Sequence, residues 1–447
     1  MSLGERRSCP ALLVAAPASG QGKTTVAVAL ARLHARQGRQ VRVFKCGPDF
    51  LDPGWLALAS AAPVHSLDLW MTGERDCVAR LWQAAGEADL VIVEGVMGLF
   101  DGQPSAADLA RRFGLPVLAV VDASAMAGTF GALAFGLQHY RSGLPWAGVL
   151  ANRVGSERHA GMLRDALPDP RHWLGALPRN PAFALPERHL GLVAATESAD
   201  ALTRIDAMAD ALAGTPLGQM TAAELRCWNV EFEAPTASDG DAAALTPLLQ
   251  GKTVAIARDA AFCFIYPANL DCLRSLGAQL VFFSPLEDAQ LPHCDAVWLP
   301  GGYPELHASQ LAANHGLRDS LRRHVDLDRP VWAECGGMMA LFEQLRTVDG
   351  QDHALWGLLP GRVTMQPRLA ALGPQQLVLH GRVLRGHTFH YSTCETPLSA
   401  SARTSPPGTP ETAGRGEALF ECGSLRASYF HAWFPSSPQA VTGLFGA

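Results

Sequence analysis

Short runs of Val, Ile, Leu and Ala recur in the first half of the chain at Ala11–Ala16, Val41–Phe44, Leu90–Val93, Val117–Val121 and Ala147–Leu150. Longer segments separate them, and two of these, Thr24–Arg36 and Thr129–Tyr140, read as helices. Strands alternating with helices predict parallel pairing with crossover helices, an α/β doubly wound sheet. Ligands then belong at the carboxyl ends of the strands. The pattern lapses near Gly214–Lys252, where Ala234–Asp241 is polar, small and without period, as a linker would be. It restarts with Thr253–Ala257, Leu280–Phe283, Ala296–Leu299 and Val331–Ala333, a second α/β domain. The expected division is 8–215 for the first domain, 216–250 for the linker and 251–447 for the second, with Thr396–Gly416 as an exposed loop.

Composition narrows the class without changing this picture. At 447 residues the chain is too long for one ordinary core, so two domains are the default. Hydrophobic residues at 48% and charged residues at 17% fit a folded enzyme. A net charge of -6 with no long basic run argues against nucleic acid as a partner. No stretch of about 18 apolar residues occurs, so no membrane span is expected. The ten cysteines form no CxxC pair, which argues against zinc and redox centres and for core thiols in a reducing cytoplasm.

The first run leads directly into Pro17-Ala-Ser-Gly20-Gln-Gly22-Lys23-Thr24-Thr25 and then a helix. Glycines let backbone N–H groups curl round phosphate, Lys23 neutralises its oxygens, and Thr24 suits Mg²⁺. The strict pattern carries Gly where this chain has Pro17, so the loop is a variant. A hydrolysable nucleotide needs a metal, and carboxylates follow the next strands in Lys45-Cys-Gly-Pro-Asp49-Phe-Leu-Asp52-Pro53 and Val93-Glu94-Gly95. The candidate ATP ligands are Gly20, Gly22, Lys23, Thr24, Thr25 and Asn152, whose amide suits an adenine edge. The candidate metal ligands are Thr24, Asp49 and Glu94; Asp49 and Asp52 stand between metal, substrate and a plain turn role. Asp122 ends another strand at the same edge, and Asp68 is either a cleft residue or a helix cap.

In the second half, Trp332-Ala-Glu-Cys335-Gly336-Gly337-Met338 reads as strand, cysteine, helix. A sharp turn of that kind exposes a nucleophile, and the helix dipole is expected to lower its pKa. Upstream, Pro300-Gly301-Gly302 ends a strand where backbone N–H groups, Gly302 among them, suit an oxyanion hole. His431 in Ser428-Tyr-Phe-His431-Ala-Trp433 is the candidate base, with His387 and His390 as rivals.

Together, SGQGKTT, KCGPDFLDP, VEGVMGLFDG, LPGGYPEL, AECGGMMAL, RGHTFHYS and SYFHAWF resemble the cobyrinic acid a,c-diamide synthase family over nearly the whole chain. That resemblance implies a P-loop domain similar to dethiobiotin synthetase, fused to a class I glutamine amidotransferase domain. It further implies amidation of the a and c acetates of cobyrinic or hydrogenobyrinic acid, with ATP and glutamine as co-substrates and Mg²⁺ as cofactor. Cobyric acid synthase shares the plan but carries a Gln-Asn-Met-type segment where this chain has GPDFLDP. A P-loop switch ATPase with a degenerate glutaminase domain is the alternative of another class; it would show a second lysine early in the loop, where this chain has Pro17 or Ala18. Class I glutaminases usually place Glu two residues after the histidine, and here Trp433 stands there, so a Cys335–His431 dyad is expected. A homodimer is the assembly to test.

Overall fold

The computed structural model describes residues 5–188, 191–192, 195–236, 247–409 and 416–446. Its contacts divide the chain into two compact units, 1–237 and 238–447.

The first unit is built on β1 (Arg6–Ala15), β2 (Val41–Cys46), β3 (His65–Leu67), β4 (Leu90–Glu94), β5 (Val117–Asp122), β6 (Trp146–Val154) and β7 (Trp173–Pro178). Their order is β3-β2-β4-β1-β5-β6-β7, all parallel. Because side chains alternate along a strand, Ala11, Leu13 and Ala15 join the core on one face while Leu12 and Val14 join the other. Each buried Val or Leu contributes about 1.5–3 kcal/mol, so the central strand is held from both sides. The chain leaves β1 at the middle of the sheet, with β4 and β5 as neighbours, and this gathers three strand ends round the first loop.

Part of the expected linker is folded. Asn229–Glu233 pairs antiparallel with Arg6–Pro10, burying Val230 and Phe232 and exposing the residues between them. Its period-two alternation spans only five residues, too short to stand out beside the polar run that follows. The strands β3 and β7 also lie outside the expected set; β3 has three residues and β7 is interrupted by Gly175.

In the second unit, Gln279–Phe283, Thr253–Ala257, Ala296–Leu299, Val331–Glu334 and Leu425–Ser428 form a parallel sheet in that order. Ala418–Cys422 and Ala402–Arg403 extend it antiparallel. A second, three-stranded sheet of Ala371–Leu379, Arg382–His390 and His431–Ala432 carries all three candidate histidines. The expected loop at Thr396–Gly416 contains the edge strand Ala402–Arg403, and its residues 410–415 lie outside the described part.

Candidate active sites

In the first unit the helix α1 (Lys23–Arg36) starts directly after the glycine loop. Gly22 adopts φ +97°, and a Cβ there would collide with the Asn152 amide nitrogen, so only glycine fits. Asn152 donates to the Gln21 carbonyl (2.9 Å) and accepts from its neighbour Arg153 N–H (2.9 Å), tying the end of β6 to the loop. That clamp engages one amide N–H and the amide oxygen, the two features that would otherwise read a base. Asp122 is fixed similarly: its N–H donates to Gln21 Oε1 at 2.8 Å, and its carboxylate pairs with Arg153 at 2.5 Å. Lys23 folds back over the loop, donating to the carbonyls of Ala18 (3.1 Å) and Met97 (2.6 Å). Burial and the nearby Lys45 hold its pKa below the ordinary lysine value. Gly20 sits exposed in the loop at φ +76°, and Thr25 lies in the first turn of α1.

The strand-end carboxylates converge on a residue that sequence reasoning passed over. Lys45, the fifth residue of β2, is 2% exposed, and its Nζ lies 2.5 Å from Asp52, 3.3 Å from Glu94 and 3.5 Å from Asp49. Burial alone would lower its pKa, but Asp52, Glu94 and Asp49 hold it well above the ordinary value. One ammonium cannot balance three carboxylates, one fully buried and two partly so. Burial accordingly pushes Glu94 up to about 7, and burial with the Asp52 charge pushes Asp49 up to about 6. Asp52 is partly buried, yet the Lys45 ammonium keeps it below the usual carboxylate range.

Thr24 donates to Glu94 Oε1 at 2.6 Å and lies 3.3 Å from Asp52 Oδ2. Glu94 Oε2 is buried and has no hydrogen-bond partner among the described residues, so the cluster presents an uncompensated oxygen suited to a cation. No group of three His, Cys, Asp or Glu side chains among the described residues is arranged to hold a metal by itself. Mg²⁺ bound mostly by phosphate and water needs only one or two protein oxygens, so the donor set fits that ion. The turn reading of Asp49 is also present, since its Oδ1 accepts from Leu51 N–H and Asp52 N–H. Asp68 caps the helical turn after β3 through Trp70 N–H and Met71 N–H.

In the second unit Cys335 follows the strand Val331–Glu334 at φ +44° and ψ -106°, a conformation costing roughly 1–3 kcal/mol for a residue with a side chain. Its N–H bonds to Ser428 O at 2.8 Å, which fixes the turn to the neighbouring strand. Gly336 must be glycine because a Cβ would stand 2.8 Å from Gly302 N, so the Pro300–Gly302 loop runs directly against the elbow. A Cβ on Gly301 would collide with the His431 ring, which places that histidine on the same loop.

His431 and His387 are cross-strand partners, and their rings stack at 4.9 Å and 16°. His387 Nε2 bonds the Tyr266 hydroxyl at 2.9 Å. His390 directs Nδ1 to Ser392 O (2.8 Å) and Nε2 to Glu417 (3.0 Å), so both its ring nitrogens are engaged. Glu334, immediately before the cysteine, reaches within 4.0 Å of His431 Nδ1.

The expected lowering of the Cys335 pKa does not occur. Burial, followed by the charge of Glu305, pushes the thiol well above its ordinary value, and the Gly336 N–H opposes this only in part. The helix beyond it, Gly336–Leu341, has six residues and a correspondingly weak terminus. Burial also holds His431 well below the ordinary imidazole value, so the thiol and the base are both neutral at rest. Other buried thiols are inert core groups, Cys46 and Cys272 being pushed to about 12 by burial.

One unit is therefore of the P-loop nucleotide-binding class and the other of the glutamine amidotransferase class. Residues 12–193 match the family described as "CobQ/CobB/MinD/ParA nucleotide binding domain", and residues 253–439 match "CobB/CobQ-like glutamine amidotransferase domain". The chain is 56% identical over 438 residues to the hydrogenobyrinate a,c-diamide synthase of Stutzerimonas stutzeri, covering 98% of this chain and 99% of that protein. It is 56% identical over 436 residues to the enzyme of the same name from Pseudomonas aeruginosa, covering 98% and 97%. Identity to the cobyrinate a,c-diamide synthase of Herminiimonas arsenicoxydans is 48% over 437 residues, covering 97% and 96%. The chain belongs to the cobyrinate and hydrogenobyrinate a,c-diamide synthase family.

Proposed function

We propose that this protein amidates the a and c acetates of hydrogenobyrinic or cobyrinic acid, using ATP to activate each carboxylate and glutamine to supply ammonia. The observation that carries the reading is the presence, in one chain, of a phosphate loop above an acidic strand-end cluster and a cysteine elbow beside a buried histidine. Residues 8–215 are assigned to ATP-dependent activation and 251–447 to glutamine hydrolysis; of the stretch between them, Asn229–Glu233 packs with the first.

In the first site the loop N–H groups and Lys23 bind the nucleotide phosphates. Thr24, Glu94 and Asp49 would hold Mg²⁺, which when bound supplies charge neutralisation at the phosphates. Lys45 and Asp52 lie beside that position, where the acceptor carboxylate must meet the γ-phosphate. Phosphorylating the carboxylate turns a poor electrophile into an acyl phosphate, which ammonia can attack. Asn152 positions the loop and retains one amide N–H for the adenine.

In the second site His431 takes the Cys335 proton as sulfur attacks the glutamine side-chain amide, and the Gly302 and Gly336 N–H groups steady the oxyanion. The same proton leaves on ammonia, and water hydrolyses the glutamyl thioester. Engagement of both ring nitrogens of His390, and of Nε2 of His387, favours His431 over its rivals.

The test is to supply purified protein, ATP, Mg²⁺ and glutamine with metal-free and cobalt-containing acid separately, and to follow product mass. Two successive amidations on either macrocycle are expected. Consumption of ATP with no amide product on either would overturn the reading.

A further inference from the structure

Glu334 has several contacts in the structure, and one of them does not concern architecture. Its Oε1 accepts from Trp332 Nε1 at 2.7 Å and from Ala432 N–H at 3.3 Å, joining the strand Val331–Glu334 to His431–Ala432. Its Oε2 is turned to His431 Nδ1 at 4.0 Å. Both side chains are buried, at 2% and 1% exposed, so their attraction is little screened by water. A carboxylate here is costly: burial pushes it up to about 8 even with its hydrogen bonds to Trp332 and Ala432. An amide side chain would accept the same architectural bonds at a lower desolvation cost. Trp433, two residues after His431, offers no carboxylate.

We propose that Glu334 is the positioning residue for His431, supplying from the residue before the nucleophile the carboxylate that orients the base. This rests on the reading of Cys335 and His431 given above. In its ionised form Oε2 accepts Nδ1–H, which fixes the tautomer with a bare Nε2 facing the thiol. The Cys335 proton passes to Nε2 as the sulfur electron pair forms the bond to the amide carbon. Glu334 then faces an imidazolium and offsets its charge until that proton leaves with ammonia. The 4.0 Å gap closes to a hydrogen bond when glutamine fills the site, as catalytic contacts commonly tighten on binding.

Glu334→Gln keeps the acceptor for Trp332 and Ala432 and removes only the charge. Its glutaminase kcat should fall roughly 100-fold or more, with KM changed by no more than about threefold and ammonia-supported synthesis intact. Glu334→Asp, which restores charge, should recover part of kcat. Trp332→Phe removes an architectural bond alone and should leave kcat near wild type. In the ¹⁵N spectrum of the wild type, His431 should carry its proton on Nδ1 and lose that preference in Glu334→Gln. Wild-type kcat in Glu334→Gln, or equal losses in Glu334→Gln and Trp332→Phe, would overturn the proposal. Should Glu334→Gln not fold, an Nε2–H tautomer of His431 in the wild type overturns it alone. Retained glutaminase in Cys335→Ala would instead overturn the reading of the elbow on which it rests.

Discussion

Around Lys45 three carboxylates lie within 3.5 Å of one ammonium, whereas around Cys335 the thiol, His431 and Glu334 are each shifted by burial toward their neutral forms. The first site holds permanent charge that is incompletely balanced. The second holds little beyond the carboxylate that Glu334 carries in its ionised form. Their chemistries explain the contrast. Phosphoryl transfer deals with a polyanion and needs cations already in place, so a buried lysine and an uncompensated glutamate oxygen are useful there. Amide cleavage starts from a neutral substrate, and a dry, neutral pair avoids stray thiolate reactivity while no glutamine is present.

Cys335→Ala should break the comparison most sharply. Glutamine-supported synthesis is expected to fall by roughly 10⁴-fold or more while synthesis from added ammonia stays at the wild-type rate. Equal loss of both reactions in a folded variant would mean the two chemistries are not separable. Lys23→Ala is the mirror experiment. It should lower synthesis from both nitrogen sources roughly 100- to 1,000-fold and leave glutaminase activity measurable; ammonia-dependent synthesis persisting at saturating ATP would sink the assignment.

Lys45→Met tests the charge balance itself. Removing the ammonium that lies nearest all three carboxylates leaves Glu94 poorly compensated, so urea unfolding without metal should show a loss of about 3 kcal/mol, partly restored by Mg²⁺. Undiminished stability would show that the cluster is neutral at rest. The smallest effect concerns pH. Glu94 has a folded pKa raised to about 7, so the native state binds its proton more tightly than the unfolded chain. Its contribution is therefore fully present below about 4.5 and is lost as pH rises through 7. Glu94→Gln should gain Tm relative to the wild type between pH 5 and 8 in the absence of nucleotide; parallel curves would contradict the assigned burial.

The two sites were unequally legible. Glycine loop, strand-end acids, elbow cysteine and Pro-Gly-Gly turn each occupy a contiguous stretch whose residue types state their use, and the five strands framing the first loop declare themselves by uniform apolarity. Lys45 went unassigned although it opens the KCGPD segment, because a lysine ending a strand reads as an ordinary solvated residue; only pairing of β2 with β4 brings it to Glu94. Glu334 was hidden by adjacency to a stronger signal, and its partner lies nearly a hundred positions downstream on another sheet. The thiol pKa was misjudged for a related reason. A helix terminus can be read from local sequence, but burial of the site depends on the whole unit, and burial dominates.

The short strand Asn229–Glu233 has a consequence for how the first unit can be handled. It returns to lie beside Arg6–Pro10, with Ala234 N–H on Glu5 O at 2.9 Å, so the two ends of this unit meet on one edge. A chain whose ends are neighbours can be rejoined and reopened elsewhere without disturbing its core. Joining residue 234 to residue 5 by a short glycine linker, and cutting at the exposed turn near Gly143, should yield a permuted module that still binds ATP. The activating half would then be a cassette, transferable to another ammonia source.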